Sequence, residues 1–193
     1  MLGLTREQCQ DITISSRREW LVTNGIGGYA SGTVAGNLAR HYHGLLIAAL
    51  QPPLGRMLLL AKLDETLLYN DAEYNLYTDE RSEGVFAPHG YRFLSRFSML
   101  RGVPHWAYTI VDIQLQKSVW MEPGQNTTYI RYELRSASEP VVLRLRALVN
   151  FRDHHNSTRA GDFDLVVTPV ESGLRVTNDA ENFFLTCEGA DAK

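Results

Sequence analysis

Short runs of alternating apolar and polar residues, separated by turn residues, dominate this chain. A period of two is typical of strands that bury one face. The clearest run lies at residues 141–151, where positions 141, 143, 145, 147 and 149 are apolar and Arg144 and Arg146 share the opposite face. A similar run at 127–135 precedes it, and residues 136–140 have turn chemistry. The two runs therefore predict a β-hairpin.

The rest of the chain contains further strand patterns. They cover residues 20–23, 43–49, 56–63, 66–70, 92–99, 106–116, 163–168, 174–177 and 183–187. Helix is expected only as a turn or two near residues 4–9. About ten or more strands, spaced roughly 8–12 residues apart, predict an all-β fold: a large antiparallel β-sandwich in a single domain of residues 1–193.

Composition and charge exclude several classes of function. The chain has a net charge of -3, so it lacks the basic field that nucleic-acid binding requires. Its apolar runs are far shorter than the roughly 20 residues that span a bilayer, so no membrane segment is expected. The first ten residues lack the pattern of a signal peptide, which favours a cytoplasmic location. Cys9 and Cys187 are accordingly expected to be free thiols.

Residues 20–63 are locally basic, since they contain two arginines, one lysine and two histidines but no acidic residue. Their glycine-rich segment, residues 24–32, superficially matches the spacing of a dinucleotide-binding loop. Residues 33–39 are too short and broken for the helix that must follow, and no acid is placed to hold a ribose. We therefore expect no cofactor, and we expect the glycines to allow positive φ or close backbone approach in a tight loop.

Catalytic and metal-binding constellations are also poorly matched. The histidines at 41, 43, 154 and 155 lack the matching partners of a zinc site, and Ser31 lies outside a nucleophile elbow. Asp64 and Glu65 form the acidic pair of this half of the chain. Adjacent strand residues point to opposite faces, so the two carboxylates are poorly placed to flank one glycosidic bond. We expect a strand-end ion pair or loop hydrogen bond, no metal and no catalytic residue.

Sugar recognition needs a different chemistry, which this region does contain. Aromatic faces pack on the apolar side of a sugar ring, and amide, charged and hydroxyl groups bind its hydroxyls. The candidate residues for substrate binding or domain docking are Asn24, Tyr29, Ser31, Arg40, Tyr42, His43, Asp64 and Glu65.

Four motifs carry a family resemblance. They are EWLVTNGIGGYASGT at 19–33, RHYHGLL at 40–46, PPLGR at 52–56 and LDET at 63–66. Together they resemble the amino-terminal domain of bacterial and archaeal glycogen debranching enzymes of the amylo-α-1,6-glucosidase type. In that family a second basic residue often follows the arginine, and His41 stands there in this chain. Arg40 and His43 are therefore the better matched positions.

The resemblance implies a supersandwich-like β domain followed by an α/α toroid that holds the catalytic carboxylates. These 193 residues do not include such a toroid, so the chain alone is expected to be inactive. The implied function is to help bind or shape the site for α-glucan, such as glycogen or limit dextrin. The implied partners are that glucan and the carboxy-terminal catalytic domain, which hydrolyses α-1,6 branch linkages.

Two alternatives remain at this stage. A stand-alone carbohydrate-binding or interaction module would expose aromatic residues on a strand face, for which Trp106 and Trp120 are candidates. A self-contained enzyme would need a second carboxylate in the same cleft as Asp64 or Glu65. Within the leading hypothesis, the residues at 25–32 and 40–43 either contact sugar or contact the catalytic domain.

Overall fold

The structure is a computed structural model that describes residues 2–159, 161–162, 164–178 and 181–189. The strands are β1 (Leu2–Leu4), β2 (Glu19–Thr23), β3 (Tyr29–Thr33), β4 (Gly44–Gln51), β5 (Leu54–Tyr69), β6 (Ala72–Asn75), β7 (Thr78–Ser82), β8 (Val85–His89), β9 (Leu94–Leu100), β10 (Val103–Ile110), β11 (Ile113–Met121), β12 (Thr128–Ser136), β13 (Val142–Asp153), β14 (Val166–Val170), β15 (Gly173–Asn178) and β16 (Glu181–Thr186). The helices are α1 (Arg6–Gln10), α2 (Ile12–Ser15) and the 3-10 turn at Gly90–Phe93. The predicted all-β fold with little helix is confirmed.

Two antiparallel sheets hold most of the strands. The five-stranded sheet has the order β1-β9-β10-β11-β12. The six-stranded sheet has the order β13-β5-β4-β3-β2, and β6 pairs with β5. Strands β14–β16 and β7–β8 form two smaller sheets. Side chains from the inner faces of the two large sheets meet in the main core, as in a β-sandwich.

Two tryptophans mark the centre of that core. Trp20 of β2 and Trp106 of β10 pack edge to face, with ring centroids 5.2 Å apart. The Trp106 indole donates to the Val34 carbonyl at 3.0 Å, and the Trp20 indole donates to the Thr33 carbonyl. Both indole N–H groups are therefore satisfied inside the protein, which removes the cost of burying them.

The predicted hairpin of runs 127–135 and 141–151 is wrong. Strand β12 pairs with β11 in the five-stranded sheet, whereas β13 pairs with β5 in the six-stranded sheet. The chain therefore crosses between the sheets at the predicted turn. Strand β13 pairs with β5 along most of its length, and the Arg146 guanidinium adds a contact of 2.6 Å with the Asp64 carboxylate of β5. The period-two pattern identified each strand but not its partner.

Other strand limits also differ from the sequence prediction. The run at 106–116 is two strands, β10 and β11, that turn at Val111 and Asp112, and Val111 adopts a positive φ of 55° without the Gly or Pro signal of a tight turn. The runs at 56–63 and 66–70 are one strand, β5. The run predicted at 92–99 begins as a 3-10 turn before β9.

The remaining differences concern short elements. Strands β1, β3, β6, β7 and β8 were not predicted, and β3 occupies the second half of the glycine-rich segment. The helix expected near residues 4–9 is present as α1, whose amino terminus is capped by the Thr5 side chain. The start of the strand predicted at 163–168 lies outside the described residues, and β14 begins at Val166.

Because Trp106 fills the space between the sheets, Trp106→Ala should lower the free energy of unfolding by about 3–5 kcal/mol. Trp120 is the matched control, since it lies on the outer face of the five-stranded sheet, stacked on Tyr129. Trp120→Ala should lower the free energy of unfolding by clearly less. Urea denaturation of both variants provides the measurement, and equal decreases in the free energy of unfolding would contradict this description of the core.

Candidate functional site

Four residues form a row across the outer face of the six-stranded sheet. Tyr29 of β3 is opposite Ile47 of β4, Ile47 is opposite Leu58 of β5, and Leu58 is opposite Arg152 of β13. Residues directly opposite each other point to the same face. Ile47 is only 1% exposed, yet neither Ile47 nor Leu58 belongs to the cluster between the sheets. Chain segments on the outer face must therefore cover them.

The loop at residues 40–43 is one covering segment. The Tyr29 hydroxyl and the Ser31 hydroxyl donate to the Tyr42 carbonyl, at 3.1 and 3.2 Å. From the other side, the Arg152 guanidinium lies 2.7 Å from His41 Nε2 and donates to the His41 carbonyl at 2.8 Å. The loop is thus bonded to both β3 and β13.

Arg152 is the main link between this loop and the turn that follows β13. Its guanidinium also donates to the carbonyls of His154 and Asn156. Arginine can only donate, so His41 Nε2 accepts this hydrogen bond. Burial lowers the pKa of Arg152, although the surrounding acceptors satisfy its donors.

Three histidines surround the Tyr42 ring. The ring centroids of His41, His154 and His155 lie 5.6, 5.6 and 5.7 Å from that of Tyr42. The Tyr42 hydroxyl is 3.2 Å from His155 Nδ1. Tyr42 nevertheless remains 45% exposed. An aromatic ring is therefore held at the surface by fixed neighbours.

We call this surface the Tyr42 patch. It consists of Tyr29, His41, Tyr42, Arg56, Arg152, His154 and His155.

His43 and Arg40 lie beside the patch and form a smaller polar group. His43 is buried, and its Nδ1 accepts the Arg40 backbone N–H at 3.3 Å while its Nε2 lies 3.5 Å from Glu19. Burial lowers the pKa of His43, so the neutral imidazole is favoured. The exposed Arg40 guanidinium pairs with Glu19. His43 thus supports the loop from below, and Arg40 lies at the surface.

Asn24 has a different environment from the other candidates. It is buried, and its side-chain oxygen accepts the backbone N–H groups of Ile26 and Gly28 at 3.1 and 2.9 Å. Its amide nitrogen donates to the Gln125 carbonyl at 2.9 Å and to the Asn126 side chain. All its polar groups are therefore used inside the protein, where they hold the glycine-rich segment against the β11–β12 connection.

Two glycines of that segment are required by close contacts. Gly27 has a φ of 102°, and a Cβ there would lie 2.6 Å from the Pro53 carbonyl oxygen. A Cβ at Gly28 would lie 2.5 Å from the Asn24 amide nitrogen. These contacts agree with the close backbone approach that the sequence predicted.

Asp64 and Glu65 point to opposite faces of β5, as expected, but they lie inside the strand and not at its end. Glu65 projects between the sheets, where it contacts Lys117 Nζ at 2.5 Å and the Tyr132 hydroxyl at 2.7 Å. Asp64 contacts Arg146 at 2.6 Å and Lys62 at 2.8 Å. Both carboxylates are therefore engaged by cations on different faces of the sheet.

A small cavity lies beside the Glu65–Lys117 pair. Trp20, Trp106 and Tyr77 contribute to its lining, and its volume is about 40 Å³. A buried water needs about 10–15 Å³ of such volume. The cavity has room for a few water molecules, which is too little for a sugar ring.

The residues that the structure describes contain no group of three or more His, Cys, Asp or Glu arranged to hold a metal ion. Among those same residues, no helix is long and apolar enough to cross a bilayer.

Cys9 and Cys187 are free, and burial raises the pKa of the Cys9 thiol to about 11. Of the two tryptophans proposed as exposed aromatics, Trp106 is in the core and Trp120 stacks on the exposed Tyr129.

The structure joins the tyrosines and the 40–43 loop to four further residues. Arg56, Arg152 and the pair His154–His155 were not among the candidate residues. Their signals were the local basic charge and the double histidine, both visible in the sequence. Their position became clear only from the strand register.

A family model described as "Glycogen debranching enzyme N terminal" matches residues 18–192. The chain belongs to this family. The match covers nearly the whole chain and includes all four motifs, so the resemblance based on those motifs is confirmed. No curated protein and no solved structure matches this chain.

The buried Glu65 gives a stability prediction for this domain. Glu65→Ala would leave Lys117 unpaired in the interior and should cost about 3–5 kcal/mol of unfolding free energy. Glu73 is the matched control, because its side chain is 54% exposed and it pairs with Arg144 on the surface. Glu73→Ala should cost less than about 1 kcal/mol. Chemical denaturation measures the free energy of unfolding of both variants. An unchanged value for Glu65→Ala would refute the proposed role of the Glu65–Lys117 pair.

The histidines give a pH prediction. Burial is the largest cause that lowers the pKa of both His43 and His154 from the ordinary value of 6.5. The unfolded chain therefore binds more protons than the folded chain at these two histidines. Their contribution to the free energy of unfolding is present above pH 6.5 and is lost as the pH falls below it. Urea denaturation at pH 7.5 and 5.5 should show lower stability at pH 5.5.

A variant tests whether His43 contributes to that loss. His43→Gln removes the titrating group, so the stability difference between the two pH values should shrink. An unchanged difference would exclude His43 as a source of the effect.

Proposed function

We propose that this domain contributes an α-glucan-binding surface to a glycogen debranching enzyme, and that the Tyr42 patch is that surface. The domain would also pack against the catalytic domain of the same enzyme, which supplies the residues that hydrolyse α-1,6 linkages. Membership in the debranching-enzyme N-terminal family supports the assignment to this enzyme.

The exposed and fixed Tyr42 ring is the observation that carries the proposal. A half-exposed aromatic face suits the apolar C–H side of a glucose unit. Its hydrogen bond to His155 and its three imidazole neighbours limit its freedom before a ligand binds. A preorganised side chain loses less conformational entropy on binding. The neighbouring imidazoles and guanidinium groups supply hydrogen-bond partners for sugar hydroxyls.

Two exposed leucines favour the docking part of the proposal. Leu21 is exposed on β2, opposite Ser31, and Leu38 is exposed just before the 40–43 loop. Exposed apolar side chains beside a polar surface are typical of contacts between domains. In this arrangement the catalytic domain would approach along β2, and the Tyr42 patch would border the glucan path.

The proposal assigns no catalytic residue to this chain. Asp64 and Glu65 lie on opposite faces of β5 and are each bound to cations, so they are poorly suited to act together on one glycosidic bond. We therefore expect the 193-residue polypeptide alone to release no glucose from limit dextrin.

Glucan binding can be tested by titrating maltoheptaose into the 193-residue chain and its variants. Tyr42→Ala should weaken binding by about tenfold, which corresponds to roughly 1.4 kcal/mol. Tyr129→Ala is the matched control, because Tyr129 is 43% exposed but lies on the other large sheet. It should leave the affinity unchanged.

Three results would separate glucan contact from domain docking. A loss of maltoheptaose affinity in Tyr42→Ala but not in Tyr129→Ala supports glucan contact at Tyr42. An unchanged affinity in Tyr42→Ala would refute it. In the enzyme that contains this domain, lost activity with unchanged glucan affinity after Leu38→Glu would support the docking role of that surface.

A further inference from the structure

The 40–43 loop is a tight turn that is closed by two hydrogen bonds. The His43 backbone N–H donates to the Arg40 carbonyl at 3.1 Å. In return, the Arg40 backbone N–H donates to His43 Nδ1 at 3.3 Å. His41 and Tyr42 are the two central residues of the turn, so the exposed Tyr42 ring stands at its tip. The position of the ring therefore depends on an acceptor nitrogen of a buried imidazole.

His41 holds the same turn to β13 through a second acceptor nitrogen. Its Nε2 accepts a hydrogen bond from the Arg152 guanidinium at 2.7 Å. A neutral imidazole has one acceptor nitrogen, whereas a protonated imidazole has two donors and no acceptor. Protonation of His41 or His43 would thus place two donors against each other and remove a bond of the turn.

The other bonds of the turn reach its backbone carbonyls. Arg152 donates to the His41 carbonyl, and repulsion between the guanidinium and a protonated His41 would weaken this bond as well. The hydroxyls of Tyr29 and Ser31 donate to the Tyr42 carbonyl and do not depend on an imidazole. Protonation would therefore shift the turn, and the Tyr42 ring with it, without unfolding it.

His43 lies where a positive charge is costly. It is 4% exposed, and the charged groups that act on it are Glu19 of β2 and Arg40 of the turn. Burial lowers the pKa of His43 most, Glu19 raises it, and Arg40 lowers it. The Glu19 carboxylate also pairs with the Arg40 guanidinium, so it offsets only part of a charge on His43. The bond to Arg40 therefore persists at neutral pH and is lost as the pH falls below 6.5.

Five further ionisable groups lie around the turn. Asp153 offsets part of the charge of Arg152, and its carboxylate accepts the His155 backbone N–H at 2.9 Å. Arg56 and Tyr29 lie on the outer face of the sheet beneath the turn. His154 and His155 pack on Tyr42 and add positive charge when they are protonated. Acidification therefore increases the repulsion around the turn.

We propose that acid weakens glucan binding at the Tyr42 patch, because protonation of His41 and His43 displaces the turn that presents Tyr42. The inference rests on the proposed function, since the ligand of the patch is the same glucan. It adds that the affinity of the domain for glucan is regulated by pH through these two imidazoles.

Calorimetric titration of the 193-residue chain with maltoheptaose at pH 7.5 and pH 5.5 tests the proposal. The affinity of the unaltered chain should fall by about fivefold or more at pH 5.5, because the contact with the Tyr42 ring is weakened. Tyr42→Ala lacks this contact, so its affinity should be nearly the same at both pH values. Equal affinities of the unaltered chain at the two pH values would overturn the proposal.

Variants assign the effect to the two histidines. In the double variant His41→Gln, His43→Gln, the amides supply acceptor oxygens that do not titrate, so the affinities at the two pH values should be nearly equal. His105→Gln is the matched control, because burial also lowers the pKa of His105, which lies on β10 of the five-stranded sheet. It should lose as much affinity at pH 5.5 as the unaltered chain. The same loss in the double variant would overturn the proposal.

The backbone amide signal of Arg40 in NMR spectra reports the state of the turn without a ligand. This N–H loses its bond to His43 in acid, so its signal should move between pH 7.5 and pH 5.5 and should move much less in His43→Gln. Dispersed amide signals of β11 and β12 at pH 5.5 would show that the domain stays folded. An Arg40 signal that does not respond to pH, or global unfolding at pH 5.5, would overturn the proposal.

The titrations also separate this inference from the glucan function. Binding of maltoheptaose at pH 7.5 with equal affinity at pH 5.5 would refute the pH regulation and leave the glucan function intact. No binding at pH 7.5 would refute both.

Discussion

The ion pair between Glu65 and Lys117 joins the two large sheets through the interior of the protein. Glu65 is 3% exposed, so its charge must be compensated by Lys117 and by the Tyr132 hydroxyl. Those partners come from β11 and β12, whereas Glu65 belongs to β5. The pair therefore fixes how the five-stranded sheet lies on the six-stranded sheet, and it lets β5 continue without interruption past two acidic residues.

Strand β5 connects the interior ion pair to the Tyr42 patch on the outer face of the six-stranded sheet. The first part of β5 carries Arg56 and Leu58, and Asp64 and Glu65 lie further along the same strand, where they contact β13 and the opposite sheet. Because β13 pairs with β5 along most of its length, its end brings Arg152 across from Leu58. Arg152 then holds the loop that presents Tyr42. The position of the exposed Tyr42 ring thus depends on β5, on its pairing with β13 and on the bonds from Arg152 to the 40–43 loop.

The chemistry of the surface follows from burial. Burial lowers the pKa of His43, so the neutral imidazole is favoured beneath the loop, where it accepts the Arg40 backbone N–H. A surface with one exposed ring and fixed hydrogen-bonding neighbours has features that suit contact with a sugar ring.

The sequence predicted the fold class, because the period-two alternation reports one buried face per strand, as at 141–149. It also located the loop at 40–43 and placed Asp64 and Glu65 on opposite faces. It could not predict the partner of β13, because that partner, β5, lies more than 70 residues earlier in the chain and the alternation of β13 does not specify it. The turn at Val111 and Asp112 lacked the Gly or Pro signal of a tight turn. Arg56, Arg152 and His154 were missed because only the pairing of β13 with β5 brings them together.

The central claim is that glucan contacts the outer face of the six-stranded sheet at Tyr42. An NMR titration that follows the backbone amide signals while maltoheptaose is added tests this most directly. The largest chemical-shift changes should fall in residues 40–44 and 153–156 and at Tyr29, with little change on β11 and β12. Changes centred on Trp120 and Tyr129, or no change at residues 40–44, would contradict the account.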